Sequence, residues 1–348
     1  MIPVIICGGV GTKMWPMSTP NTPKHFLPLV DSESLFQINW RVLRKWFSPE
    51  EIYVQTNAHQ ARIAHHQVSE IVPENIFIEP ETRNQGPATG LAAANLIKAG
   101  KGDEVFMLIQ VDDLRMPEDN LISFMRMAER QSMNTDKYVT SGFSPKWHQG
   151  GVDYLLKGKL VEEKDGVKIF EVDDFVDRSE TDRISENIGK DRLLVHTNHS
   201  TMTANKLMSY YRDYKSDWYS LLTRFIQGED IEEIYPQMEK GQLEMVTKEL
   251  YKKKRALVIE NNFEWIDFGT WEAVSKYYDE RGITHGVSGT IELESKNNFL
   301  WSQSGKTIAT IGLDDIVVIE SEEGILVSKK EKTGLVSLVT EKISSGDI

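Results

Sequence analysis

The chain has 348 residues, 40% hydrophobic and 27% charged, with a formal net charge of −13, which allows one large domain and a smaller one. The acidic balance excludes a broad nucleic-acid surface, so no nucleic-acid partner is expected and an anionic ligand must be held by a local cluster of cations. The lone cysteine, Cys7, excludes a disulfide framework or a multi-cysteine zinc site. With no membrane-length apolar run and no leader-like start, a cytoplasmic location free of membrane is expected.

"IPVIICGG" reads as a short buried strand, followed by a glycine- and proline-rich loop, "GGVGTKMWPMSTPNTPKHF". "SESLFQINWRVLRKWF" has helical periodicity, with Ser32 or Ser34 as its N-cap. "EIYVQTN" is strand-like, "AHQARIAHHQVSEIV" helical and "NIFIEP" strand-like. In "GPATGLAAANLIKAG", Pro87 near the first turn and Gly100 past the end mark a helix. A fourth strand, "EVFMLIQVDD", a helix, "EDNLISFMRMAERQSM", and a fifth strand, "KYVTSGF", continue the alternation. Such alternation predicts an α/β fold with a doubly wound, mostly parallel sheet, whose ligands bind beyond the carboxyl ends of the strands. The glycine loop, "EPETRNQGP" and "QVDD" all fall at such ends. Past Tyr154 the pattern is mixed, helical around 204–255. From about 285 short β-runs divided by Gly, Ser and Asn turns predict a small β-rich domain closed by a short helix. The expected division is 1–284 and 285–348. The β-runs hint at a repeat whose period the sequence does not define.

The glycine loop matches neither the Walker pattern nor the dinucleotide fingerprint. On its own it reads equally as a tight turn or as bare backbone that lets N–H groups approach a phosphate. Lys24, stiffened by Pro23, tips the balance towards an anion. "VDD" alone reads as a solvated loop, "WIDFGTW" as an aromatic turn, and His59, His65 and His66 as a solvated helix face.

Taken together, "GGVGTKMWPMSTPNTPKHFLPL", "FIEPETRNQGPATGLAA", "FEWIDFGTW" and "IATIGLDDIVVIESEEGILVSKKE" resemble, in order and spacing, the signature segments of the sugar-nucleotide pyrophosphorylases. The Trp-Pro pair points to the mannose-1-phosphate guanylyltransferase branch. The resemblance implies a Rossmann-like nucleotidyltransferase fold with a β-helix-like C-terminal domain. It also implies the reaction of GTP with a sugar 1-phosphate to give a GDP-sugar and pyrophosphate. In this numbering it assigns Gly8, Gly9, Gly11 and Thr12, with Lys13 and Lys24, to the triphosphate, and Glu79, Arg83 and Asn84 to the nucleotide pocket. Asp112 and Asp267 are implied to hold Mg²⁺, an ion suited to carboxylate and phosphate oxygens, and Arg178 to meet the sugar phosphate. A homodimer through the C-terminal domain is the implied assembly.

The sugar half departs most from the family's pattern. Asp153 replaces a glycine, Arg178 a lysine, His196 an asparagine and Asn198 a glycine, while Glu244 and Glu249 stand at two acidic positions. Lys13 replaces an arginine, and Asp113 lies beside Asp112. Three readings follow: a guanylyltransferase making GDP-mannose or a close relative; the same chemistry on another sugar 1-phosphate; or a non-catalytic nucleotide-binding homologue. Retained Lys24, Asp112, Asp267 and Arg178 weigh against the last, and the altered sugar motifs against the plainest form of the first.

Overall fold

Local signals set the early elements as the sequence predicts. Ser34 caps the first helix, α1 (Leu35–Arg44): its Oγ accepts from Gln37 N at 3.1 Å while Gln37 Oε1 accepts from Ser34 N at 3.0 Å, a reciprocal capping box. The computed structural model describes residues 1–346 apart from 10, 31, 146, 147, 150, 165 and 284–288. The division expected at 284/285 therefore lies outside the described residues. Contacts group the chain into two compact units. One is Met1–Gly8, Arg41–Gln110 and Arg115–Trp265; the other is Gly9–Trp40, Val111–Leu114 and Ile266–Ile348.

The first unit is built on strands β1 (Ile2–Ile6), β2 (Tyr53–Thr56), β3 (Ile76–Ile78) and β4 (Val105–Gln110). A short strand, β5 (Asp113–Met116), follows, and then β6 (Tyr138–Phe143), β7 (Tyr154–Lys164), β8 (Val167–Val176), β9 (Leu193–His196), β10 (Thr201–Thr203) and β11 (Ala256–Glu260). All but β5 join one sheet in the order β11-β8-β7-β9-β6-β10-β4-β1-β2-β3. β4, β1, β2 and β3 run parallel, as do β6 and β11. The three-residue β10 pairs antiparallel with both β4 and β6, and so separates two strands that the alternation alone would place side by side.

Helices α2 (Ala58–Gln67), α3 (Gln85–Lys98), α4 (Glu118–Asn134), α5 (Thr181–Asn187), α6 (Ala204–Tyr214), α7 (Ser216–Ile226), α8 (Ile231–Ile234) and α9 (Glu244–Lys252) cover the sheet. Alternation along β4 explains its layers. Phe106 and Leu108 enter a core shared with Leu91 of α3, Tyr211 of α6, Leu222 of α7 and Leu250 of α9; α4 packs against β4 and β6. His59, His65 and His66 lie exposed on α2. No helix among the described residues is long and apolar enough to cross a membrane.

The second unit carries the loop after β1, helix α10 (Trp271–Arg281), which follows strand β12 (Glu264–Asp267), and the C-terminal β-runs. These are β13 (Thr290–Leu293), β14 (Phe299–Ser302), β15 (Ile308–Ile311), β16 (Ile316–Ser321) and β17 (Gly324–Lys329), closed by α11 (Val336–Ser345). β13 pairs in parallel with β15, Thr290 opposite Ile308, and β14 with β16, Phe299 opposite Val317. The turns follow the same step: Asn297 bonds Asp315, and Lys296 N donates to Asp314 Oδ1, each pair 18 positions apart. The repeat is a coil of 18-residue turns. Trp271 and Tyr278 of α10 meet Phe299, and Tyr278 also meets Trp301. Trp271 Nε1 donates to Trp15 O at 3.0 Å, Tyr278 Oη to Leu29 O at 2.8 Å and Ser321 Oγ to Pro16 O at 2.8 Å. The N-terminal loop is thereby fastened to α10 and β16.

Candidate active site

Within the second unit the loop takes the shape its glycines permit. Gly9 and Gly11 have φ of 73° and 76°, the left-handed region that favours glycine. A Cβ on Gly11 would stand 2.4 Å from Lys24 Cγ, so the glycine lets the lysine side chain cross the backbone. Among the described residues beyond their own chain neighbours, nothing lies within 4 Å of where a Cβ would stand on Gly8 or Gly9. Thr12–Met14 form one 3₁₀ turn.

Lys24 Nζ donates to Asp112 Oδ2 at 2.6 Å. Burial works against the Lys24 charge, but Asp112 and Asp267 outweigh it and raise its pKa. Asp112 is likewise opposed by burial, yet Lys24 holds its carboxyl below the usual range. Asp267, second of the pair, is pushed up to about 6 by burial and by the Asp112 charge, against the pull of Lys24 and Lys13. Phe268 N donates to Asp112 O at 3.3 Å, which ties the two acidic segments together. The structure thus gathers Lys24, Asp112 and Asp267, with Lys13 near enough to act on Asp267 electrostatically.

Asn39 is a member of this site that sequence reasoning missed. Its buried Nδ2 donates to Leu35 O at 2.9 Å and to Val111 O and Asp113 O, both at 3.1 Å, bracketing the carbonyls around Asp112. The available signal was an amide between Ile38 and Trp40 on an otherwise apolar helix face, which must find partners once buried.

Within the first unit, Asp153, Arg178, Asn198 and Glu244 line one cavity of about 590 Å³, together with Phe175, Asp177, Gln242 and Lys248, a volume suited to a small ligand. Asn198 has φ 54°, a left-handed conformation that glycine and asparagine adopt most readily. Arg178 does not reach freely into the cavity. Its Nε donates to Asp153 Oδ1 at 3.0 Å, its Nη2 to Oδ2 at 2.5 Å and its Nη1 to Gly151 O at 2.6 Å. Asp153 and Arg178, two of the residues expected on the sugar side, thus pair with each other.

His196 sits behind Glu244, its Nδ1 3.9 Å from Glu244 Oε1, while its Nε2 bonds Thr140 Oγ1 at 2.9 Å. Nδ1 is buried without a hydrogen-bond partner among the described residues. Burial, opposed only by the Asp153 charge, lowers its pKa to about 4, so the ring is neutral at pH 7. Burial also raises the pKa of Glu244. Glu249, the other acidic position of that segment, pairs with Lys252 at 2.6 Å and does not line the cavity.

Glu79 and Arg83 are turned onto a neighbouring segment of the same unit. Glu79 Oε1 accepts from Tyr235 Oη at 2.7 Å. Arg83 pairs with Glu81, donates from Nη1 to Met238 O at 3.0 Å, and bonds Pro236 O through Nη2. Asn84, with φ 67°, occupies the N-cap of α3 without a side-chain cap bond.

Comparison with known proteins fits this architecture. Residues 2–149 match the nucleotidyl transferase family model, and residues 288–343 match that of the mannoseP isomerase/GMP-like beta-helix domain. The chain is 24% identical to a mannose-1-phosphate guanylyltransferase of Salmonella muenchen, over 100% of this chain and 74% of that protein. It is 25% identical to one of Escherichia coli, over 99% and 75%. A solved mannose-1-phosphate geranyltransferase of Thermus thermophilus superposes with a TM-score of 0.86 at 20% identity, covering 99% of both chains; that likeness shows the fold. From its glycine loop to its terminal coil, the chain joins a nucleotidyl transferase domain to a mannoseP isomerase/GMP-like beta-helix domain, and over its whole length it is similar to proteins named mannose-1-phosphate guanylyltransferase.

Proposed function

We propose that the chain couples GTP to a sugar 1-phosphate, releasing pyrophosphate and forming a GDP-sugar, with mannose 1-phosphate as the first candidate. An oxygen of the sugar phosphate, ionised at neutral pH, attacks the α-phosphorus. The new P–O bond forms as the bond to the β-phosphate breaks, and the electron pair leaves on pyrophosphate. No proton has to move, so the protein's tasks are positioning and charge stabilisation.

The observation that carries this reading is the cluster of Lys24, Asp112 and Asp267. Two carboxylates in mutual repulsion, one of them raised to about 6, with one lysine bonded to Asp112 and acting on both, form an electron-rich set of hard oxygen donors. Nucleotidyltransferases of this family generally use a divalent metal, and this donor set suits Mg²⁺. Asp112 and Asp267 would hold it, with further donors from phosphate oxygens and water, since no group of three or more His, Cys, Asp or Glu gathers among the described residues. When bound, the ion neutralises charge developing on the phosphates. Lys24 and Lys13 would add positive charge there, and the open space beside Gly8 and Gly9 leaves room for phosphate oxygens. The sugar 1-phosphate would occupy the cavity of the first unit. Guanine as the base rests on the names of the relatives.

A second reading, the same chemistry on a different sugar 1-phosphate, is favoured by the Asp153–Arg178 pair, which alters the cavity wall. A cytoplasmic setting accords with the single buried thiol, Cys7. A homodimer through the terminal coil is supported by exposed Ile291, Leu293 and Ile311, and equilibrium sedimentation measures it.

The deciding experiment pairs nucleoside triphosphates with sugar 1-phosphates in a grid and scores pyrophosphate release with Mg²⁺. One dominant pairing names the substrates. Silence across the grid, with nucleotide binding retained, replaces the reading with a non-catalytic homologue.

A further inference from the structure

Sequence resemblance assigns the sugar phosphate to Arg178, but the cavity holds a second cation on a different element. Lys248 lies on α9 one turn beyond Glu244, and both side chains line the cavity. Residues four apart share a helix face, with about 6 Å of rise between them. One face of α9 therefore offers a carboxylate and an ammonium to the same cavity.

The two cations differ in what already occupies them. Arg178 is committed to both oxygens of Asp153 and to Gly151 O, and Asp153 Oδ1 also accepts from Arg178 N at 2.9 Å. A phosphate reaching this guanidinium would meet the Asp153 carboxylate beside it. The Lys248 ammonium rests over the Phe175 ring at 4.3 Å. Its nearest carboxylate oxygen, Asp177 Oδ2, is 3.7 Å away, beyond hydrogen-bond distance, and the other oxygen of Asp177 already accepts from Ser179 Oγ at 2.7 Å and Ser179 N at 3.1 Å. A lysine with three donors and no carboxylate within hydrogen-bond distance among the described residues is suited to a phosphate as a point charge.

We infer that Lys248 is the cation that receives the phosphate of the sugar substrate, and that Arg178 is held by Asp153 as part of the cavity wall. This inference rests on the sugar 1-phosphate reading above. Glu244 then faces the sugar hydroxyls from the same helix, and the specificity of the site is carried largely by α9.

The test compares two removals of charge, Lys248→Met and the charge-neutral double replacement Asp153→Asn with Arg178→Gln. Kinetics use the full chain, GTP and mannose 1-phosphate, or the best pairing from the grid. Lys248→Met is expected to raise KM for the sugar 1-phosphate at least tenfold, and more than the double replacement does, with KM for the nucleotide changed less than about twofold. Lys248→Arg should recover most of the loss. A larger sugar KM for the double replacement, or a Lys248→Met effect confined to the nucleotide, overturns the inference. Acylation footprinting of the wild-type chain gives an independent reading. Mannose 1-phosphate, glucose 1-phosphate or inorganic phosphate should slow modification of Lys248 relative to Lys252 and Lys253. If the grid shows no turnover, the proposed reaction fails and the footprint decides: protection of Lys248 supports the phosphate site, and an unchanged rate overturns it.

Discussion

Asp267 and His196 are both titratable groups held away from their ordinary states, and the physical cause differs. Asp267 is raised by burial and by the neighbouring Asp112 charge, so its ionised form burdens the metal-free fold. Replacing it with Asn should abolish Mg²⁺-dependent pyrophosphate release while making the chelator-treated protein more stable at pH 7.5 in urea unfolding. Full activity in that variant would remove Asp267 from the reaction. His196 is lowered from 6.5 to about 4, chiefly by burial. Between those values the unfolded chain binds the proton that the folded chain refuses, so stability rises with pH across the window and is complete above pH 6.5. A shift of about 2.5 units corresponds to about 3 kcal/mol, lost as pH falls towards 4. Denaturant titrations at pH 4.5 and 7 should show a shallower pH dependence for His196→Asn than for wild type. Equal slopes would show that Glu244, 3.9 Å away, compensates the ring's charge. The sugar-side role expected for His196 came from aligning a family segment through it; the structure buries the ring behind Glu244, outside the lining of the cavity, which no sequence pattern signals. Asp153 was legible as an anomaly, but its partner was not: nothing local in the sequence joins it to a residue 25 positions later.

Where helix α3 begins, four hydrogen bonds join it to residues 235–241. Arg83 reaches the carbonyls of Pro236 and Met238, Gly86 N donates to Gly241 O at 2.9 Å, and Gly241 N donates to Arg83 O at 3.2 Å. The segment so held leads directly into Gln242 and α9, which line the cavity. Gly86 is small for a reason of packing: a Cβ would stand 2.2 Å from the Trp218 ring and 2.9 Å from Gly241 O. Gly86→Ala should therefore destabilise the chain by about 1–3 kcal/mol, the usual cost of overpacking, read as a lower urea midpoint at unchanged slope. A neutral substitution would mean that the Trp218 ring yields. At this scale the helices and parallel strands were readable from periodicity, and their ends from Pro87 and Gly100. The splice between α3 and residues 235–241 was not, because backbone carbonyls carry no side-chain signature. The three-residue β10 was hidden too, being too short to show alternation.

Across the whole molecule the chain passes between its two units several times, so the second unit draws on residues 9–40, 111–114 and 266–348. A fragment ending at 284 keeps the catalytic motifs but loses Phe299 and Trp301 from the rings of α10 and Ser321 from Pro16. It should aggregate, or melt about 10 °C or more below the full chain, at roughly 2–4 °C per kcal/mol for a domain of this size. An equally stable 1–284 fragment would show that the terminal coil is dispensable to the loop. The coil's β character was plain in the sequence, whereas its period was not, since stacked positions pair unlike residues such as Thr290 with Ile308 and Asn297 with Asp315. That 18-residue step has a consequence for how this end of the protein can change in length. An insertion of one whole turn adds a storey and keeps the residues after it in angular register with those before it. A shorter one slides all that follows out of alignment, including the Ser321 hydroxyl that latches Pro16, so growth here should come in complete storeys.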